Sequence, residues 1–256
     1  MVVLKTSRVQ STRLRRFLLL VSLVFLALGI VSGSTQASVS LGARFERTLG
    51  GAAVPEIVKQ YGGEHFLPIQ ERLWVQEIFR RLVEVTKRKD LEYTLTVLDS
   101  AEANAFALPG GYIFITRGLL GVIGSDEAKL AAVLAHEIAH SEKKHGLSAV
   151  FRQMGLTVLM EVGVMAFDFA SADLMRMATA TLVQLLQLGW GREAEYEADA
   201  IGQIMAVQAG FDGVGAVSLL DDLFVLDSDD LPMKLFRTHP DTKNRRDRLE
   251  ASLVSF

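Results

Sequence analysis

His136 and His140 stand four residues apart in a run whose apolar members, Leu130, Val133, Leu134 and Ile138, recur at helical spacing, so both imidazoles leave one face of one helix. Gly124-Ser125-Asp126-Glu127 offers a cap and early acids for that helix, and Gly146 a stop. The flanks are apolar, so the rings point inward rather than lying as a surface pair, and unpartnered imidazoles in an interior are costly. The chain must therefore wrap other elements around this helix and bring a partner to the rings. Histidines at this spacing can close on one zinc ion, with Glu137 between them placed to work on a water at the open coordination position.

Two histidines leave room for a third protein ligand. His145 follows His140 by five residues, but Lys143 and Gly146 occupy the positions where the elongated metzincin pattern has glycine and histidine, so His145 reads as a helix-end residue near C-terminal carbonyls. Gly191-Arg192-Glu193-Ala194-Glu195-Tyr196-Glu197-Ala198-Asp199-Ala200 starts a second helix that continues through Ile201, Ile204 and Met205, with Glu195 and Asp199 on one face. Either Glu195 binds the metal while Asp199 accepts a hydrogen bond from a ligating imidazole, or both belong to a solvated acidic start that the helix dipole favours. Glu193 and Glu197 fall on other faces.

The fold expected is α+β, mostly helical, with a small β-sheet preceding the histidine-bearing helix. Residues 41–62 read as helical with glycine breaks, and Ile69–Lys87 as an amphipathic helix with Leu73, Val75, Ile78, Phe79 and Leu82 near one side. Leu91–Leu98 alternates as a half-buried strand, and Gly111–Thr116 reads as a second strand joined to it through Asn104–Gly110. The apolar, methionine-containing stretch Phe151–Phe169 pairs as a helical hairpin with Leu174–Leu188. It serves as core or, if Met154, Leu156, Leu159, Met160 and Met165 are exposed, as a surface for membrane or unfolded clients.

Lys5, Arg8, Arg13, Arg15 and Arg16 precede the apolar run Phe17–Val31, and Thr35-Gln36-Ala37 supplies small residues before Ser38. Residues 1–37 are thus expected to be a cleaved secretory leader and 38–256 a single domain; a run of about fifteen apolar residues falls short of the ~20 that span a bilayer, which disfavours an uncleaved anchor. Removing that leader takes five of the 27 basic residues and no acid, leaving 22 against 30 and a charge of −8, a balance poorly suited to nucleic acid. With no cysteine, the exported form has no disulfide and no site for a lipid anchor, and the periplasm of a Gram-negative bacterium is the expected location.

Ala135-His136-Glu137-Ile138-Ala139-His140 and Gly191–Asp199 together resemble the gluzincin family of HtpX, BepA and the CAAX prenyl proteases. Asn104-Ala105-Phe106-Ala107-Leu108-Pro109-Gly110-Gly111, the following Tyr112–Leu120 stretch and Thr238-His239-Pro240 resemble further landmarks, in the family's order, over about residues 41 to 250. The resemblance implies a zincin-type metalloendopeptidase with one zinc per chain, held by His136, His140 and Glu195, with Glu137 as general base and Asp199 as supporting acid. It also implies that His239 approaches the metal, either donating to the developing oxyanion or occupying the open position in a latent form, the alternative being a surface loop. An extended client is expected to add to an edge offered by Tyr112, Ile113 and the residues up to Ile115, with Asn104 and Phe106 shaping the approach or serving only as turn and core residues. The implied substrates are unfolded or misassembled envelope proteins, with peripheral contact to membrane or outer-membrane assembly machinery. The competing expectation is a chaperone-like binding protein whose zinc site is structural or latent. Neither the helical repeat domain of BepA-like relatives nor the several transmembrane helices of HtpX-like ones is expected.

Overall fold

Side-chain alternation along three short strands separates two apolar cores. The computed structural model describes residues 35–155, 172–227, 235–240 and 242–253, and residues from Ala43 onward form one compact unit. Strands Thr94–Leu98 (β1), Ala105–Leu108 (β2) and Tyr112–Thr116 (β3) lie in the order β1-β3-β2. β3 runs parallel to β1, pairing Thr94 with Tyr112, and antiparallel to β2, pairing Ala105 with Ile115. Ala105, Ala107, Ile113 and Ile115 project into one core, while Leu98, Phe106, Leu108 and Phe114 project into the other.

Helix Thr35–Gln60 (α1) covers the second core, and helices Ile69–Val85 (α2) and Arg117–Ile123 (α3) border the first. Helix Glu127–Glu142 (α4) is capped by Asp126, whose carboxylate accepts from the Ala128 and Lys129 amides at 3.0 and 3.1 Å. Every residue from Leu130 to Ser141 is buried, so α4 is the central helix rather than a surface one. His145–Gln153 (α5) and Ala172–Leu185 (α6) pack together beside the second core. Arg192–Gln208 (α7) lies along α4, and Gly215–Asp227 (α8), Leu235–Thr238 (α9) and Thr242–Leu253 (α10) follow it. Among the described residues no helix is long and apolar enough to cross a membrane. Residues 1–34 of the expected leader and residues 156–169 lie outside the described residues.

The expected small sheet does precede the central helix, but three local expectations are corrected. The glycines of 41–62 do not break α1, which runs on through Gly50, Gly51 and Pro55. Gly50 is there for contact, because a Cβ on it would lie 1.9 Å from the Pro109 carbonyl oxygen. Asn104–Gly110 is not a plain connection, since it contains β2, and β3 is consequently the middle strand, with both edges paired. The edge for a client expected along Tyr112–Ile115 is therefore already taken. Finally, α4 ends at Glu142 instead of reaching Gly146, because Lys144 adopts a left-handed conformation (φ 57°) and starts a new helix at His145.

Candidate metal centre

α4 and α7 approach closely where Gly202 faces His136; a Cβ at Gly202 would lie 2.9 Å from the His136 amide nitrogen. That contact sets the two helices so that the residues one and two turns before Gly202, Asp199 and Glu195, reach the rings of α4. His136 and His140 bring their Nε2 atoms to 2.9 Å of each other. Glu195 places Oε2 3.4 Å from His136 Nε2 and Oε1 3.5 Å from His140 Nε2. The segment after α9 adds His239, whose Nδ1 is 2.9 Å from Glu195 Oε2 and 3.3 Å from His136 Nε2. One ligand atom from each of these four buried residues falls within 4.8 Å of every other.

These spacings suit a metal. Ligand atoms about 2.0–2.2 Å from a tetrahedral ion lie about 3.3–3.5 Å apart; three of these separations fall in that range, and the two of 2.9 Å would widen slightly around an ion. Glu195 Oε1 and Glu137 Oε2 are buried with no hydrogen-bond partner, an arrangement that costs free energy unless a cation or a reactant satisfies them. Two imidazoles and a carboxylate are the donor set that favours zinc among divalent ions.

The electrostatics suit His140 and Glu195 as ligands, whereas His136 must give up a proton when a cation binds. Burial pushes His140 well below its ordinary pKa and keeps it neutral, as a ligand must be. For His136 burial acts the same way, but the carboxylates of Asp199 and Glu195 beside the ring override it and raise it to about 9. Asp199 Oδ1 lies 3.0 Å from His136 Nδ1, on the side of the ring away from the cluster. Burial alone would raise Glu195, yet the His239 and His136 rings hold it well below the usual carboxylate range. Burial raises Glu137, whose Oε1 lies 3.5 Å from His239 Nε2.

Sequence reasoning missed Arg245. Its guanidinium on α10 donates two 2.7 Å hydrogen bonds to Asp199 and lies 3.1 Å from Glu195 Oε2, while also reaching the His239 carbonyl at 3.3 Å. Against burial, this pairing lowers Asp199 to about 2. Also missed was a contact behind His140: its Nδ1 meets His145 Nδ1 at 2.8 Å, and His145 Nε2 meets Glu197 Oε2 at 3.0 Å. His145 is thus the buried first residue of α5, not a helix-end residue of α4.

The structure brings His136, Glu137, His140, Glu195, Asp199 and His239 together, but not the side chains expected to line the substrate path. Phe106 stacks on Phe114 with ring centroids 5.1 Å apart, and Ile113 is fully buried, so both are core residues. Tyr112 leans toward α1, under the guanidinium of Arg47. Asn104 is fully buried, donating to the Tyr61 hydroxyl at 3.1 Å and accepting from Thr238 at 3.1 Å. It fixes the segment carrying His239. A small cavity of about 50 Å³ opens beside Glu137 and His239, walled by Val133, Ala216, Leu219, Leu220 and Leu235.

The sequence model of peptidase family M48 matches residues 69–253. The mitochondrial metalloendopeptidase OMA1 of Schizosaccharomyces pombe is 30% identical over 210 residues, covering 80% of this chain and 60% of that protein. The beta-barrel assembly-enhancing protease of Escherichia coli K12 is 27% identical over 197 residues, 71% of this chain and 40% of its own length. The human mitochondrial metalloendopeptidase OMA1 is 28% identical over 195 residues, 70% of this chain and 36% of its own. The chain therefore spans between about a third and three fifths of the length of these relatives.

Proposed function

From the membership of this chain in peptidase family M48, we propose that it is a zinc-dependent endopeptidase of protein quality control that cuts misfolded or misassembled proteins of the bacterial envelope. The observation that carries the reading is the convergence of His136, His140 and Glu195 beside a Glu137 oxygen that has no protein partner. The leader-like residues 1–37 and the name of the Escherichia coli relative support a periplasmic location and clients among outer-membrane proteins, with peripheral contact to their assembly machinery.

His136, His140 and Glu195 hold the metal, and Asp199 fixes the His136 tautomer. Bound zinc would supply a Lewis acid for the scissile carbonyl and bring the pKa of water toward ~7. Glu137, whose carboxyl burial raises above its ordinary value, takes the proton of the attacking water and passes it to the leaving amine.

Substrate recognition moves from β3 to β2. The Asn104 carbonyl accepts from the Thr116 amide, so the alternating backbone groups of Ala105 and Ala107 face the outer edge of the sheet. β2 is buried throughout, so an extended client adds along that edge, read through its backbone, only once the cover over it is displaced; the cavity beside Glu137 is too small for a deep specificity pocket. His239 occupies the fourth position of the cluster and, through Nε2, lies 3.2 Å from the Ala105 carbonyl on the same edge. Both contacts support reading this as a latent arrangement that a client must open.

Glu137→Gln should retain one zinc per chain and lose cleavage of casein, and a chelator should abolish wild-type cleavage reversibly. If Glu137→Gln cleaves normally, the proposal fails; if it keeps full function in the cell without cleaving, the chaperone-like reading replaces it. His239→Ala should raise activity, because the histidine blocks the site; a fall would refute the latent reading and assign His239 to the oxyanion instead.

A further inference from the structure

We propose that His145 and Glu197 are positioning residues that hold His140 in its metal-binding tautomer, an inference that rests on the metal site described above. His140 turns Nε2 into the cluster and Nδ1 away from it, toward His145 Nδ1 at 2.8 Å. A neutral imidazole has one N–H and one lone pair. To offer the Nε2 lone pair to a cation, His140 must carry its proton on Nδ1, and His145 Nδ1 must accept it. The proton of His145 then sits on Nε2, which lies 3.0 Å from Glu197 Oε2. A carboxylate only accepts, so Glu197 settles the tautomer of His145, and His145 settles that of His140. Lys143 grips the other oxygen of Glu197 at 2.6 Å and keeps the carboxylate turned toward the ring.

The backbone is shaped for this contact. Lys144, at φ 57° and ψ 33°, takes the left-handed conformation that non-glycine residues seldom adopt, at a cost of order 1 kcal/mol. That turn folds the chain back at the end of α4 and sets His145 against the ring five residues earlier. The two ligating histidines are therefore served differently. His136 meets its carboxylate, Asp199, directly at 3.0 Å, whereas His140 reaches one through a second imidazole.

The test is zinc affinity, measured by competition with a chromophoric chelator on the full exported chain, together with thermal unfolding of the metal-free form. His145→Leu removes the acceptor and should weaken zinc binding about 10- to 100-fold. His145→Asn keeps an acceptor oxygen near the place of Nδ1 and should stay within about threefold of wild type. Glu197→Ala, at a half-exposed position, should fold normally and weaken binding by several-fold. Equal affinities for the leucine and asparagine variants would overturn the proposal, because a purely packing role does not distinguish them by hydrogen bonding. If His145→Leu does not fold, unchanged affinity in Glu197→Ala overturns it alone. Failure of the wild-type chain to bind zinc would instead refute the metal-site reading beneath it.

Discussion

Gly202→Ala sets two effects of known size against each other. In a helix interior alanine is favoured over glycine by about 0.8–1.0 kcal/mol, so propensity alone makes the variant more stable. The added Cβ would lie 2.9 Å from the His136 nitrogen, 3.0 Å from its Cα and 3.2 Å from the Ala135 carbonyl carbon. Backbone atoms of a buried helix cannot rotate aside, and ordinary contact begins near 3.4 Å, so α4 and α7 must separate by about 0.5 Å. Overpacking of this kind costs about 1–3 kcal/mol, and with three backbone atoms crowded the upper value applies. The net expectation is a loss of about 2 kcal/mol, or a fall of about 4–8 °C in the unfolding midpoint of a domain this size. Zinc binding should suffer more, since ligand distances tolerate only about ±0.2 Å and Glu195 rides on the displaced helix. Calorimetry of the metal-free form and chelator competition on the loaded one measure the two losses. A variant that melts higher than wild type and keeps its zinc affinity would refute the claim that Gly202 sets the spacing of the helices.

Arg245→Met should destabilise the metal-free protein by about 3–5 kcal/mol in urea unfolding, because the buried Asp199 loses both guanidinium hydrogen bonds; adding Asp199→Leu should restore part of that loss. In the metal-free protein Asp199 titrates at about 2 against an ordinary 3.8, so its contribution is present above about pH 4 and lost as the pH falls toward 2. At ~1.4 kcal/mol per unit this amounts to roughly 2 kcal/mol, and Asp199→Asn should flatten the unfolding free energy over that interval.

What could be read in the sequence was what repeats locally. The spacing of His136 and His140, the Asp126 cap and the shared face of Glu195 and Asp199 all express helical periodicity, and the structure places them as that periodicity requires. β2 escaped notice because four residues, two of them alanine, carry little strand propensity; their small side chains instead let α4 lie close to the sheet. Arg245 stands among Lys243, Arg246, Asp247 and Arg248, so nothing local sets it apart, and its partner Asp199 is 46 positions away. The return of His145 onto His140 depends on a left-handed lysine, and no glycine marked the turn. Long-range pairing and a strained backbone leave no periodic trace.

His136 and His239 come within 3.3 Å of each other across 103 positions of sequence. An ion seated between them is therefore also a clasp, fastening the last stretch of the chain to its middle. Occupancy adds to the free energy of unfolding in proportion to the logarithm of zinc over its dissociation constant, about 4 kcal/mol at a thousandfold excess. On the proposed zinc site, a chain deprived of the ion would lose a long-range fastening as well as its chemistry, and the supply of the ion would then govern how long the protein endures along with how fast it works.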